Sequence, residues 1–326
     1  AIEVLQKQAE AEWLKYPKKF YHGLQNVDVK GDYVYHSKNT DHAFLVTDVE
    51  DSKFIALIHS KPTKDCYDYT DWGENVQLIY DSIAVGLGAQ KIKFGMLIFA
   101  DVREIEYSFF CGRSQYLFGC AGLKDKKYCI LNKQYTKEEY EEMVPKIKKH
   151  MDDMPYIDKK GRVYKYGEFF PLELSPFAYN EAVVQEYFTI TEDQADVLGV
   201  AWKKPDTRNI NITKKYTELP DTISDVNDNI LKDIIECQHQ GKCNEHCTTA
   251  FRIIPQELEF YRKQNLPLPR LCPNCRHYQR LKQRNPLKLW KRKCQKDGCN
   301  NEFETSYAPD RPEIVYCEQC YNKEVV

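Results

Sequence analysis

Cysteine pairs are the residues in this chain whose type and spacing could do chemistry. Nine of the thirteen cysteines lie in the last ninety residues. Eight of them form close pairs: Cys243 with Cys247, Cys272 with Cys275, Cys294 with Cys299, and Cys317 with Cys320. A tight turn that holds two thiolates supplies half of a tetrahedral zinc site, and two such turns complete it. The sequence therefore predicts two zinc ions per chain, in closed structural sites.

The first predicted site has other candidate ligands close to it. Twenty-four residues separate Cys247 from Cys272, which leaves room for a β-turn and for a helix in PQELEFYRKQ. Cys237, His239 and His246 lie nearby, and a neutral imidazole is also a good zinc ligand. Cys237 and His239 are therefore additional candidate ligands, and either one would replace one of the paired cysteines in the site.

The strings around these cysteines carry a resemblance. CTTAFRI, ELEFYRK and LPLPRLCPNCRHYQRLKQRNP resemble the zinc-ribbon, or treble-clef, modules of uncharacterised bacterial proteins. CNNEFETSYAPDRPEIVYCEQCY resembles a related four-cysteine module that often follows the first, and the region from FGCAGLKDKKYC to SPFAYNEAVVQEYF resembles the β-rich half of the same architecture. The resemblance implies that the eight paired cysteines bind zinc, and it implies no function. The four residues between Cys294 and Cys299 depart from the tighter spacing usual in such modules.

Short segments of β-branched and aromatic residues run from Val27 to Leu131, divided by Asp, Asn, Gly and Ser. Their apolar clusters recur at intervals of 9 to 16 residues. This spacing is typical of a β-solenoid, in which each coil of short strands buries its inward residues against the next coil. A β-sandwich is the alternative, because its strands also recur every ~8–12 residues. No Asn-Gly hairpin signal interrupts the region, which favours a solenoid of the parallel β-helix type.

The chain is predicted to be mainly β with α. Its parts are a helical cap at residues 1–20, a β-solenoid-like domain at 21–135, a helical and irregular connector at 136–236, zinc module 1 at 237–290 and zinc module 2 at 291–326. Capping boxes begin helices after Thr136 and Thr191 in the connector. The string DVNDNILKDIIEC predicts an amphipathic helix just before the first cysteines.

Basic residues are concentrated near the cysteines. The segment from Phe260 through Lys296 contains twelve Lys or Arg and no Asp or Glu, although the whole chain has a net charge of −2. Each four-thiolate zinc site carries a charge of about −2 and absorbs only part of this surplus. The remainder predicts a face that binds nucleic acid, with RNA or single strands as the expected ligand. An acidic protein partner, with the zinc modules acting as an assembly scaffold, is the alternative.

The residues of this predicted nucleic-acid face fall into two chemical groups. Phosphate contacts are predicted for Arg276, Arg280, Arg284, Lys288, Lys291 and Arg292. Tyr278 and Trp290 are the aromatic residues available to stack on bases, although both are equally suited to the cores of the zinc modules.

Other function classes find no support in the sequence. No apolar run approaches the ~20 residues of a membrane helix, and the first twenty residues lack the apolar stretch of a signal peptide. The CPNC and CEQC spacings favour metal thiolates in a reducing cytoplasm. The chain contains no HExxH, phosphate-loop, Gly-x-Ser-x-Gly or His-x-Glu motif. We therefore expect a binding protein rather than an enzyme, and the sequence indicates no small-molecule substrate.

Four solitary cysteines lie in the β-rich region, namely Cys66, Cys111, Cys120 and Cys129. A free cysteine commonly behaves as a small buried hydrophobic residue. We interpret these four in that way, with a third metal site as the alternative.

Overall fold

The computed structural model describes residues 2–60, 62–204 and 209–325. The chain divides into two compact units. The first unit contains the residues up to Ser175 together with those from Pro286 onward, and the second unit runs from Pro176 to Asn285. The finer division into five parts stays a prediction. Within the described residues, no helix is both long enough and apolar enough to span a membrane.

The first unit begins with a helix and a long series of short strands. These elements are α1 (Ile2–Trp13), β1 (Lys18–Lys19), β2 (Gly23–Leu24), β3 (Val27–Tyr35), β4 (Lys38–Thr47), β5 (Val49–Ser60), β6 (Thr63–Lys64), β7 (Tyr67–Gly73), β8 (Val76–Gly86), β9 (Gln90–Lys93), β10 (Met96–Phe99), β11 (Arg103–Glu106), β12 (Phe109–Gly112), β13 (Gln115–Phe118), β14 (Lys127–Ile130) and β15 (Lys133–Gln134).

Strands β2 to β14 form a β-solenoid of about eight turns. Every pairing among them is parallel, and only β15 turns back to pair antiparallel with β14. One column of aligned residues contains Val34, Val46, Ile58, Trp72, Val85, Ile98 and Cys111. Successive coils are therefore 12 to 14 residues long. The predicted solenoid is confirmed, because a sandwich would require antiparallel hairpins.

The inward residues of a coil are three positions apart. In one coil the buried side chains are Val46, Val49, Ser52 and Ile55, and Ile58 begins the next coil. Between them, the φ angles of Asp48, Asp51, Phe54 and Leu57 are 57°, 48°, 53° and 61°. A positive φ turns the chain sharply and is disfavoured in most L-residues, although Asp and Asn tolerate it. Each coil is therefore a ring of very short sides, with the positive-φ residues at its corners.

Serine hydroxyls satisfy backbone groups inside the solenoid. Ser52 Oγ accepts a hydrogen bond from the Cys66 N–H of the next coil at 3.0 Å. Ser82 Oγ does the same for Gly95, and Ser108 Oγ for Cys120, both at 3.0 Å. Each hydroxyl in turn donates to a carbonyl two residues earlier in the chain. These buried polar residues are thus compatible with an otherwise apolar core.

The four solitary cysteines all point into this core. Cys66, Cys111, Cys120 and Cys129 are at most 1% exposed, and they pack among the apolar columns. Burial raises the pKa of the Cys66 thiol to about 12. Neutral thiols in this setting fill space as small hydrophobic groups, in agreement with our interpretation.

Helix α2 (Lys137–Asp153) lies against the last parallel coil. The predicted capping box is present, because Thr136 Oγ1 accepts from the Glu139 N–H and the Glu139 carboxylate accepts from the Thr136 N–H. Tyr140 and Val144 are buried and pack with Phe118 and other aromatic residues of the solenoid. The predicted N-terminal cap is less substantial, since Val4, Leu5 and Trp13 of α1 are all more than half exposed. A capping role for α1 stays a prediction.

The remainder of the first unit includes the second group of cysteines. Its elements are β16 (Tyr156–Ile157), β17 (Val163–Tyr164), a 3-10 helix (Leu172–Leu174), β20 (Trp290–Lys293), β21 (Glu302–Thr305), β22 (Val315–Tyr316) and α7 (Glu318–Glu324). Strands β20 and β21 form an antiparallel hairpin, and β22 pairs parallel with β1.

Asp32 links this C-terminal segment to the start of the solenoid. Its carboxylate is buried in β3 and accepts hydrogen bonds from the N–H groups of His22 at 2.7 Å and Tyr33 at 3.0 Å. The His22 ring nitrogen Nδ1 lies 3.0 Å from the same oxygen. The other carboxylate oxygen accepts from the hydroxyl of Ser306, which is also buried. The segment after β21 is therefore anchored to β3 by a buried charged group.

The second unit has short elements. They are a 3-10 helix (Tyr179–Glu181), α3 (Val184–Tyr187), α4 (Glu192–Leu198), three further 3-10 helices (Tyr216–Glu218, Ile223–Asp225 and Asp228–Lys232), β18 (Ile235–Glu236), β19 (Ala250–Phe251), α5 (Pro255–Gln264) and α6 (Pro273–Leu281). Helix α4 begins at the capping box predicted for Thr191.

The amphipathic helix predicted in DVNDNILKDIIEC is wrong. The segment forms the 3-10 helix Asp228–Lys232 followed by strand β18, which pairs antiparallel with β19. Ile230 and Ile235 are both buried, yet five residues of α-helix would place them on different faces. The extended β18 brings both residues into one core with Phe251 and Leu258, and it delivers Cys237 to the first cysteine group.

Candidate metal centres

The first metal centre is built from Cys237, Cys247, Cys272 and Cys275. Their sulfur atoms all lie within 4.8 Å of one another. The Cys237 and Cys275 sulfurs are 3.9 Å apart, and those of Cys247 and Cys272 are 4.0 Å apart. Two thiolates bound to one zinc at ~2.3 Å in a tetrahedron are separated by about 3.8 Å. The four sulfurs therefore fit a single tetrahedral metal ion.

Local structure fixes each of these thiols. Cys237 follows β18, Cys247 precedes β19, and Cys272 caps the N-terminus of α6, with Pro273 at the first helical position and Cys275 in the first turn. The Cys237 sulfur accepts a hydrogen bond from the Cys272 N–H at 3.2 Å. Backbone N–H groups aimed at sulfur favour the thiolate form that a metal requires.

The electrostatics of Cys272 also favour a thiolate. Burial raises the pKa of its thiol, but hydrogen bonds from Thr248 and Cys275 outweigh burial and lower that pKa to about 6. Burial raises the pKa of the Cys275 thiol, and its sulfur neighbours raise it further. A bound cation would reverse the effect at Cys275, because the metal stabilises every thiolate it binds.

Cys243 lies beside this group rather than among its four members. Its sulfur is 3.7 Å from the Cys275 sulfur and 3.3 Å from His239 Nδ1. His239, Cys243, Glu245 and Cys275 form a further set of ligand atoms within 4.8 Å of one another. The pairing pattern predicts Cys243 in the four-cysteine group, with Cys237 as an alternative ligand. In the structure, Cys237 takes that position.

The second metal centre contains all four of its predicted residues. Cys294, Cys299, Cys317 and Cys320 place their sulfurs within 4.8 Å of one another, and the Cys299 and Cys317 sulfurs are 3.9 Å apart. Cys294 follows β20 and Cys317 caps the N-terminus of α7.

The wider first turn of this centre closes at Gly298. Its φ of 77° is a conformation that glycine adopts without strain, and the Cys299 N–H donates to the Lys296 carbonyl at 3.0 Å. The four residues between Cys294 and Cys299 are therefore compatible with one tight turn. Burial raises the pKa of the Cys317 thiol, but hydrogen bonds from Asn301 and Cys320 outweigh burial and lower that pKa to about 6.

Both four-cysteine groups offer four sulfur donors to a metal ion. Four sulfur ligands complete a tetrahedron and leave no position for substrate or water. Within the described residues, the two four-cysteine groups could each hold a metal ion.

The predicted nucleic-acid residues of the second unit are partly used in internal contacts. Arg276 donates to the Tyr261 hydroxyl at 3.0 Å and pairs with Glu257 at 3.3 Å. Arg284 lies over the Tyr187 ring, 4.7 Å from its centre. Arg280 is exposed, and Tyr278 is half-buried beside the ring of His246. Arg280 is therefore the residue of this set that is most open to a phosphate.

Among the predicted nucleic-acid residues of the first unit, some are likewise used in internal contacts and others are exposed. Arg292 donates to the Ala308 carbonyl at 3.1 Å and to the Gln295 side chain at 2.7 Å, so it holds the second metal module together. Lys288 lies over the ring of Trp290, 5.2 Å from its centre, and that ring is half-buried. Lys288 and Lys291 are exposed.

A cleft of about 560 Å³ lies in the first unit between the start of the solenoid and β21. Phe20, Tyr21 and Phe303 contribute to its walls. Its charged residues are largely paired, since Glu318 meets Lys19 at 2.7 Å and Glu304 meets Lys30 at 3.7 Å. These ion pairs explain the presence of charged residues in the walls of the cleft.

Sequence reasoning missed Glu245. This carboxylate is 6% exposed and forms an ion pair with Lys282. Its position inside the string CNEHC, between two cysteines, is the signal that would have found it.

Comparison with known proteins identifies no relative: no family model, no curated protein and no solved structure matches the chain. The resemblance to zinc-ribbon or treble-clef modules therefore stays a prediction.

Proposed function

We propose that this chain is a zinc-stabilised binding protein whose solenoid presents an apolar surface to a protein partner. The observation that carries the proposal is an exposed stripe made of Ile83, Met96, Phe109 and Phe110, which we call the apolar stripe. Ile83, Met96 and Phe109 are aligned on successive coils. The four side chains are 40%, 39%, 46% and 54% exposed.

Two physical arguments support this role for the apolar stripe. Large apolar side chains gathered on one exposed surface typically mark an interaction site in a soluble protein. A solenoid also offers an extended, rigid surface, because each coil repeats the position of the one before it. The aromatic rings of Phe109 and Phe110 contact each other, and Phe110 also contacts Phe99, so the stripe is preorganised for binding.

Zinc is the metal that best suits both four-cysteine groups. Four thiolates in a tetrahedral arrangement favour zinc, which needs no redox chemistry and tolerates complete enclosure. The ions stabilise the segments that carry the cysteines and take no part in a reaction. In this proposal the cytoplasm supplies the reducing conditions under which the thiols stay free to bind metal.

Affinity purification from nuclease-treated lysate tests the proposed role of the apolar stripe. A charge at Phe109 should reduce recovery of the specific partner at least tenfold, because burying an unpaired carboxylate in an apolar interface is costly. The matched control is Gln90→Glu, which adds the same charge to an exposed position of β9. Identical recovery with wild type and with Phe109→Glu would rule out the apolar stripe as the binding surface.

Nucleic-acid binding is a second candidate function, favoured by the exposed Arg280, Lys288 and Lys291. Reversing Arg280 and Lys291 to Glu should weaken binding to a polyuridine strand at about 50 mM salt and flatten its salt dependence. Lys160→Glu combined with Lys232→Glu is the control, because this pair makes the same charge change at exposed sites outside the basic segment. A wild-type protein without affinity for the strand at that salt concentration would remove this candidate.

A further inference from the structure

His239, Cys243 and Glu245 place their ligand atoms within 4.8 Å of the Cys275 sulfur and of one another. His239 Nδ1 is 3.1 Å from Glu245 Oε2 and 3.3 Å from the Cys243 sulfur. The Cys243 and Cys275 sulfurs are 3.7 Å apart. For ligands at their usual zinc distances, a tetrahedron has edges of about 3.3 Å between N and O, about 3.5 Å between N and S, and about 3.8 Å between two S atoms. The three observed separations agree with these edges to within about 0.2 Å.

Glu245 supplies an independent indication of a bound cation. Its side chain is 7% exposed, and within the described residues Oε2 has the His239 Nδ1 contact at 3.1 Å but accepts no well-oriented hydrogen bond. Lys282 pairs with the other oxygen, Oε1. A buried carboxylate oxygen without a hydrogen bond is costly. A metal ion at the centre of the set would satisfy this oxygen and explain why it faces a histidine nitrogen and a cysteine sulfur.

We propose that the first metal centre is binuclear, with a second zinc ion bound by His239, Cys243, Glu245 and a bridging Cys275. This inference rests on the proposed zinc ion in the group Cys237, Cys247, Cys272 and Cys275, and adds a neighbour that shares one thiolate with it. Binding the second ion removes the thiol proton of Cys243 and uses His239 as a neutral ligand. The chain would then hold three zinc ions, two in this centre and one in the second.

The charge of the complete centre is consistent with its surroundings. Five thiolates and one carboxylate carry about −6, and two zinc ions reduce this to about −2. This equals the charge of an ordinary four-thiolate site, because the second ion is neutralised by the Cys243 thiolate and the Glu245 carboxylate. Lys282, paired with Glu245, lies outside the ligand set and offsets part of the remainder.

Metal stoichiometry of the full chain tests the proposal. The protein, loaded with zinc and freed of excess, is weighed by native mass spectrometry, and its zinc content is checked by elemental analysis. We expect three ions in wild type and two in Glu245→Gln and in Cys243→Ser. In both variants the new side chain is close in size to the native one. His246→Ala is the matched control and should keep three, because His246 belongs to neither ligand set.

Alkylation of Cys243 provides a second measurement that does not depend on the variants folding. Cys243 is half-buried, so iodoacetamide should modify it in wild type carrying two ions. We expect the third equivalent of zinc to protect this thiol at least tenfold, because a metal-bound thiolate is a weaker nucleophile.

The outcomes separate this inference from the proposed zinc sites themselves. Two ions in wild type, with Cys243 open to alkylation at full loading, would overturn the binuclear centre and leave both four-cysteine sites intact. Three ions in both wild type and Glu245→Gln would place the third ion elsewhere and would also overturn it. Fewer than two ions in wild type would overturn the proposed four-cysteine sites as well.

Discussion

The solenoid and the second metal module achieve stability by opposite means. The solenoid buries continuous columns of apolar side chains and joins each coil to the next by parallel backbone hydrogen bonds. The second metal module has little apolar interior besides Val315 and Tyr307, and its buried polar residues Thr305 and Ser306 add no hydrophobic stabilisation. One region should therefore depend on packing and the other on a metal, which makes their sensitivities separable by experiment.

Removing the metal should produce the largest effect, and it should be local. Structural zinc contributes on the order of 10 kcal/mol to modules of this size. Replacing Cys317 with Ser, or treating the protein with a chelator, should abolish amide-exchange protection in β20 to β22 and α7. Protection in β8 to β13 should survive, because their core contains no metal ligand. Hydrogen exchange measured by mass spectrometry would separate the two regions, and loss of protection in both would break the comparison.

A cavity in the solenoid core should destabilise the solenoid and leave the bound metal in place. Ile92 is fully buried and aligned with Ile79 and Ile105 on neighbouring coils. Ile92→Ala should lower the free energy of unfolding by about 2–5 kcal/mol without releasing zinc. Urea denaturation and zinc analysis of the same sample check both statements, with Gln90→Ala on the same strand as the control. Zinc loss from Ile92→Ala would show that the two regions are not independent.

Asp32 joins the solenoid to the second metal module. A substitution there should therefore destabilise both regions. Asp32→Ala leaves His22, Tyr33 and Ser306 without their shared partner. The expected loss is about 1–3 kcal/mol, with faster amide exchange in both β3 and β21. Lys38→Ala, at an exposed position of the neighbouring strand β4, should change neither.

The ionisation of Asp32 gives this interaction a pH dependence. Burial raises the pKa of its carboxyl, but hydrogen bonds from His22 and Ser306 outweigh burial and lower that pKa below its ordinary value. The stabilisation is therefore fully present above the unfolded pKa of ~3.9 and is lost as the pH falls through the folded pKa. The difference between wild type and Asp32→Ala should accordingly persist at pH 5 and shrink as the pH falls below ~3.9.

A smaller effect should appear at Asp81, a corner residue of the solenoid. Burial, followed by repulsion from Asp68 and Glu168, raises the pKa of Asp81 to about 6. A raised carboxyl pKa means that the charged form destabilises the fold, so stability falls as the pH rises from ~4 through 6. Asp81→Asn should be more stable than wild type by about 1 kcal/mol at pH 7.5, after allowance for solvent screening. The gain should shrink at pH 5, and a gain independent of pH would assign it to the backbone rather than to the charge.

The sequence predicted the solenoid because its apolar clusters recur without hairpin signals, but it did not reveal the form of the coil. The three-residue sides depend on positive φ angles at Phe54, Leu57 and similar residues. Such residues disfavour that conformation in isolation, and only stacking against neighbouring coils compensates for it. This information resides in contacts between coils, which no local pattern records.

Cysteine spacing was sufficient for the second metal centre and insufficient for the first. Cys294, Cys299, Cys317 and Cys320 converge as predicted, because each pair sits on one local turn. Cys237 joins the first group through the pairing of β18 with β19, and we predicted a helix for that segment. Choosing between Cys237 and Cys243 requires the tertiary structure, because both lie within a few residues of the same turn.

The pairing of β1 with β22 has a consequence for synthesis on the ribosome. Residues 18–19 can pair only after residues 315–316 have been synthesised. The interval between the two is roughly 15–60 s at ~5–20 residues per second. The solenoid coils can stack during that interval, since their contacts lie close in sequence. The second unit is inserted between the two parts of the first and can fold in the same interval. The backbone of β1 is therefore without its partner strand for most of translation, the time at which edge-to-edge association with other chains is favoured.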